Sequence, residues 1–234
     1  MEQLRSEAER ELSHSDQFSS STMDVELNVV EKRSQDSSVN AHLMLLFSGE
    51  HRVTTLIFMG IWFTLSFGSY GLSTWIAVLF TDVGIGNVYA ATFIYACANL
   101  PGNLVSILYM DTLGRHTLLK YGMALAALSG LGFAIDTKDA AVVIFCAALF
   151  NAFSVAGWNA LDCMTAEEFP TKCRTTAMGV IAAFGRLGAI SAQFVNGSLQ
   201  SNIPVLLFVT SGCMFVGAYL STLLGRDTTG KALK

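Results

Sequence analysis

Long stretches without a single charge decide what this chain can fold into. No Asp, Glu, Lys or Arg occurs in residues 53–81, 83–110 or 140–161, and Arg186 is the only one between Thr175 and Gly225. About 20 consecutive apolar residues suffice to cross a bilayer, so these runs are long enough to span one. With no water in the bilayer core, each span must satisfy its own backbone as a helix or close into a barrel. The runs do not alternate as barrel strands do, which leaves helices. The expected fold is therefore an all-α membrane protein with six transmembrane helices, at about 53–81, 88–110, 117–135, 140–164, 175–197 and 203–224. Lys120, near the start of the third, can snorkel to the headgroups.

The composition sharpens the exclusions. Charged residues are 14% of the 234, against about 25% in a soluble domain. A water-soluble enzyme is ruled out, and no catalytic residues are assigned. The net charge of −4 and the lack of a basic stripe argue against nucleic acid. The five cysteines (Cys97, Cys146, Cys163, Cys173, Cys213) lack C-x-x-C spacing. They read as buried small hydrophobes, with no metal and no cofactor expected.

Fifteen of the 32 charges fall in residues 1–52, among ten serines in 1–50. That composition reads as an acidic, mostly disordered cytoplasmic segment. The start, MEQLRSEAERELSHS, has no signal-peptide pattern. Leu4, Ala8 and Leu12 could form one amphipathic turn. Ser19–Ser21 and Ser37–Ser38 are either phosphate acceptors or a solvated linker. Residues 225–234 form a tail.

Orientation follows the cations. Arg115 and Lys120, Lys172 and Arg174, and the two ends (Lys32, Arg33, Arg52; Arg226, Lys231, Lys234) lie on one side. The opposite loops carry only Lys138, beside Asp82, Asp136 and Asp139. Both termini are therefore expected in the cytoplasm.

Three loop motifs stand out. Asp111-Thr-Leu-Gly114-Arg115-His116 follows span two, with Gly114 permitting a tight turn. Asp111 and Arg115 are not placed to complement a helix dipole and need partners across the bundle. Glu167-Glu168-Phe-Pro170-Thr-Lys-Cys-Arg174 joins spans four and five; Pro170 ends a helix and Thr171 could cap the next. Gly225-Arg-Asp227-Thr-Thr-Gly230-Lys231 follows the last span.

In this order the motifs resemble D-x-x-G-R-[RK], E-x-x-P-T-x-x-R and P-E-T-x-G-K of the major facilitator superfamily, in its sugar-porter and organic-ion branch. The stretch Trp62-Phe-Thr-Leu-Ser-Phe-Gly-Ser-Tyr70-Gly-Leu-Ser-Thr-Trp75, with Leu100-Pro101-Gly102-Asn103, is most similar to synaptic-vesicle-two-related proteins. His116 replaces the usual Lys or Arg, and Arg226-Asp227 the terminal Pro-Glu. The resemblance implies the carboxy-terminal half of a twelve-helix transporter, residues 1–52 being central-loop-like. It implies solute transport by alternating access, with membrane lipid, a small-molecule solute and a missing amino-terminal six-helix half as partners. It also implies that Asp111, Gly114, Arg115, Glu167 and Arg174 form a cytoplasmic gating cluster, the alternative being solvated positive-inside residues. A vesicle protein that keeps the fold without transporting, and an inactive truncated product, are the other readings; plasma and vesicle membranes are not distinguished.

Polar residues inside the spans fall on helical stripes: Trp62, Ser66, Ser69/Tyr70 and Ser73; Tyr95, Asn99, Asn103 and Ser106; Asn151, Ser154, Trp158 and Asp162; Arg186 and Gln193. Such faces look to other helices or to a water-filled cavity. The resemblance implies that spans one, two, four and five line the solute path. Trp62, Tyr70, Asn99, Asn103, Asn151, Trp158, Asn159 and Gln193 are thus candidates for solute binding, against simple interhelical packing. Gly179, Gly185, Gly188 and Ala192 read as close-packing residues.

Arg186 stands near the midplane of span five, where an arginine costs about 2.5–3.5 kcal/mol. Either Asp162 is its structural partner or it binds solute. By helical rise Arg186 is about 16 Å deep, whereas Asp162 lies near the cytoplasmic end of its span. The solute expected is thus an organic anion or a zwitterion, with a sugar or organic cation as alternatives. Asn196-Gly197-Ser198 matches a glycosylation sequon, but it also reads as a helix end with Gly197 as C-cap.

Overall fold

The computed structural model describes residues 41–49, 51–135 and 139–224. The serine patches, the Leu4–Leu12 turn and the terminal Gly225–Lys231 motif lie outside them. The chain divides into units Met1–Leu45 and Leu46–Lys234, and the helices below belong to the second.

Seven helices follow in order: α1 (His51–Asp82), α2 (Val88–Cys97), α3 (Asn99–Tyr109), α4 (Arg115–Ile135), α5 (Ala140–Glu168), α6 (Arg174–Leu199) and α7 (Ile203–Leu223). Together, α2 and α3 make one span, so among the described residues six helical segments are long and apolar enough to cross a membrane. Each begins and ends within about four residues of the span read from the sequence.

The division of the second span has a chemical cause. Pro101 has no N–H for the carbonyl of Cys97, and its ring crowds that carbonyl. The helix breaks at Ala98, and the Asn151 amide donates to the carbonyl of Tyr95 at 2.7 Å. A neighbouring helix thus meets a backbone group beside the break, as an apolar environment demands.

Side chains and turn residues set the other ends. Asn87 accepts from the Ala90 N–H at 3.0 Å, and Asp139 from that of Ala141 at 2.9 Å, as N-caps. Gly114 takes φ +85° in the turn between α3 and α4, a conformation that side chains disfavour. Two expected caps are not formed. The Cys173 N–H donates to Pro170 in a turn, and α6 starts at Arg174 with Cys173 rather than Thr171 as N-cap. At its other end α6 runs through Gly197 to Leu199, so Gly197 is an interior residue and Gln200 the C-cap.

In the bundle, α4 packs on α5 and α7, α1 on α6 and α7, and α3 on α5. Helices without a hydrophobic drive to associate in lipid rely on small residues and interhelical hydrogen bonds. The α1–α6 contact uses both: Gly188 abuts the Phe63 carbonyl, and the Asn196 amide donates to the Gly71 carbonyl at 3.0 Å. Gly102 likewise lets α3 approach the Ala152 carbonyl of α5. Phe58, Leu65, Phe80, Met123, Phe133 and Phe150 fill the core, while Phe93, Ile107, Phe145 and Phe194 point outward. The cysteines correct the sequence reading: Cys173 is buried, Cys97 is exposed and the other three are intermediate, all five free. Membrane helices carry apolar side chains on both faces, so an apolar setting alone does not place a thiol inside.

Candidate functional site: an aromatic and charged cleft

A cleft of about 390 Å³ opens between α1, α5 and α6. Its lining is Trp62, Ser69, Tyr70 and Ser73 from α1; Asn151, Ser154, Val155, Trp158 and Asp162 from α5; and Arg186 from α6. The one-face spacings on α1 and α5 put these residues on a common wall.

Aromatic rings form its spine. Trp62 and Trp158 meet edge to face with centroids 5.2 Å apart, and Tyr70 lies 5.7 Å from Trp158. Such contacts suit the quadrupoles of the rings. Both indole N–H groups are engaged in the wall: Trp62 donates to Thr165 at 3.0 Å and Trp158 to Ser69 at 2.9 Å. The rings are thereby fixed.

Arg186 sits midway along α6. Its guanidinium carbon lies 5.5 Å from the centroid of the Tyr70 ring, a cation–π arrangement. The neighbouring Gly185 packs directly against Ser66 and Trp62, which seats this part of α6 on α1. Asp162 lines the same cleft, yet among the described residues neither Asp162 nor Arg186 is in an ion pair. A cation, a carboxylate, hydroxyls and flat rings therefore face one opening.

Of the solute-binding candidates, Arg186, Trp62, Tyr70, Asn151 and Trp158 line the cleft. The others lie elsewhere. Asn159 donates to Asn103 at 2.8 Å and to Ser106 at 3.1 Å, tying α5 to α3, and Asn103 donates to the Asn99 carbonyl at 3.0 Å. Gln193 accepts from the Trp75 indole at 2.8 Å, tying α6 to α1. Asp162, Ser69, Ser73 and Ser154, which stand on the polar stripes but are not among the solute-binding candidates, also line the cleft. Their signal was the i, i+3/i+4 stripe they share with Trp158 and Tyr70.

A second polar cluster occupies the end carrying the Gly114 turn. Arg115 pairs with Glu167 and lies 3.6 Å from Asp111. Arg174 stands apart, its Nε donating to the Phe169 carbonyl at 3.4 Å. His116 meets the Ser221 carbonyl at 2.6 Å, joining α4 to α7.

The family model for the "Sugar (and other) transporter" family matches residues 1–233. Among individual relatives, the chain is 36% identical over 127 residues to human synaptic vesicle glycoprotein 2C, 53% of this chain and 17% of that protein. It is 37% identical over 158 residues to rat synaptic vesicle glycoprotein 2A, 66% of this chain and 21% of that protein. Rat synaptic vesicle glycoprotein 2B is 30% identical over 146 residues, 62% of this chain and again 21% of the relative. The matched segment thus amounts to about a fifth of each relative's length. With a match over nearly all its residues and, among the described residues, six membrane-length helices, the chain belongs to the sugar (and other) transporter family, within the major facilitator superfamily.

Proposed function

We propose that this six-helix domain forms half of an alternating-access carrier for a small organic anion, with the cleft as its share of the solute path and Arg186 as the anion's ligand. A guanidinium midway along a membrane helix, facing an opening and held over Tyr70, carries the reading. A guanidinium matches a carboxylate with two parallel hydrogen bonds, and a low-dielectric cleft strengthens the attraction. A neutral sugar would have no need of the charge. Trp62, Tyr70 and Trp158 suit a flat organic body. A complementary six-helix half, on the same polypeptide or another, would supply the opposite wall, and both ends of this domain would face the cytoplasm.

The test compares Arg186→Lys and Arg186→Gln in a transport-competent assembly at equal surface expression. Lys should retain part of the anion uptake and Gln should lose it. Normal uptake by the Gln variant would make Arg186 a packing residue and remove the anion reading.

A second reading keeps the fold without transport. The relatives are named as glycoproteins of synaptic vesicles rather than for a solute, which favours a vesicle-membrane role. Uptake measured for this chain alone and with a complementary half separates the two.

A further inference from the structure

We infer that the cleft selects a dipolar solute, an organic acid that carries a cationic group across a flat body, with the carboxylate on Arg186 and the cation on Asp162. The inference rests on the anion reading and adds the second charge. Both residues line one cleft and, among the described residues, neither is neutralised by an ion pair.

Their order in space is set by the rings. Arg186 lies over Tyr70, Tyr70 meets Trp158, and Asp162 follows Trp158 by one turn of α5. Along this series of contacts a basic group leads to two aromatic rings and then to an acidic group. The 5.5 Å from Arg186 to the Tyr70 ring, the 5.7 Å from that ring to Trp158 and one helical turn together hold the two charges within about 17 Å of each other.

An isolated charge in an apolar setting is costly unless it is paired. A simple anion pairs with Arg186 and leaves Asp162 both unpaired and repulsive. Even at about 17 Å and an effective dielectric near 20, that repulsion corresponds to about fivefold in affinity. A solute with a cation at its far end turns the repulsion into attraction. The cleft volume of about 390 Å³ lies in the range that holds a small organic ligand.

Three probes of nearly one shape test this: 4-(aminomethyl)benzoate, 4-methylbenzoate and benzylamine. Their dissociation constants are measured by calorimetry on the chain in lipid nanodiscs. The aminomethyl acid should bind at least about fivefold tighter than 4-methylbenzoate. Asp162→Asn should erase that preference and leave 4-methylbenzoate as tight or tighter, while Asp162→Glu should keep it and so report that charge, not folding, is read. Arg186→Gln should weaken both acids. Equal binding of the two acids to the unaltered chain, or a preference that survives Asp162→Asn, overturns the dipolar inference. If Arg186→Gln still weakens both acids in that outcome, the anion reading stands. Should Arg186→Gln change nothing, benzylamine bind best, or no probe bind, both readings fall.

Discussion

Gly188 of α6 lies against the carbonyl of Phe63 on α1 with no room between them for a methyl group. This contact holds the helix that carries Arg186 beside the helix that carries Tyr70. Gly188→Ala must push the two backbones apart, and overpacking of this kind costs about 1–3 kcal/mol. Gly179, on the same helix, has nothing within 4 Å of where its Cβ would be, so Gly179→Ala should be neutral or slightly stabilising through helix propensity. Unfolding of the two variants in mixed micelles checks the contrast, and equal midpoints would remove the α1–α6 contact as a source of stability.

Asn196 is 1% exposed, and its amide is committed to the Gly71 carbonyl at 3.0 Å. A glycan attached to that nitrogen would displace the bond and the packing around it. Glycosidase treatment of the chain expressed in a eukaryotic membrane should therefore leave the mobility of the band unchanged. Asn196→Ala, by contrast, should cost about 1–2 kcal/mol, the scale of an interhelical hydrogen bond in a membrane. A glycosidase-sensitive shift abolished by Asn196→Gln would contradict this.

Asn151 offers a parallel case at the break between α2 and α3. Asn151→Ala leaves the Tyr95 carbonyl with only the Ala98 N–H at 3.3 Å, and the loss of an interhelical hydrogen bond in a membrane costs about 1–2 kcal/mol. Because Asn151 also lines the cleft, lowered stability should accompany altered solute affinity. Thermal unfolding in detergent and binding measured on the same sample separate the two effects.

The number, type and approximate limits of the spans were legible in the sequence because charge-free runs and the backbone's need for internal hydrogen bonds leave little choice. The break at Ala98 was legible in principle as well. Pro101 removes a donor wherever it stands, so a charge-free run that contains it implies a kink about one turn before it. The cleft was half legible. Periodicity groups Asn151, Ser154, Trp158 and Asp162 on one face, but it does not say which helix that face meets. Asn99 and Asn103 share a face equally well, and they meet Asn159 and their own backbone instead of the cleft. Arg174 shows the same limit: a motif places a cation near one end of the bundle, but not that its Nε donates to the Phe169 carbonyl.

The loops test orientation independently of the cleft. Single cysteines at 82–87, 136–139 and 198–202, in a background stripped of the native five, should react with an impermeant thiol reagent from outside the cytoplasm. The imbalance of Lys and Arg between the two sets of loops motivates this assignment. Labelling from the cytoplasmic face would reverse it.

The last prediction concerns the ion pair of Arg115 with Glu167, which joins the start of α4 to the end of α5. Both side chains are about one-fifth exposed, at 18% and 20%, so the pair is worth more than a surface bridge and less than a buried one. Asp111, 83% exposed and 3.6 Å away, adds little beyond this. Removing either partner takes the nearest counter-charge from a largely buried group, which favours any arrangement that lets water reach it. Arg115→Ala and Glu167→Ala should therefore both speed thiol labelling of Leu113→Cys from that end of the bundle and slow turnover in a transport-competent assembly. The charge-exchanged double variant, Arg115→Glu with Glu167→Arg, should recover more than the two single changes sum to, since coupled residues are not additive. If the single variants label and transport as the parent does, the charges at this end are solvated residues that set orientation only.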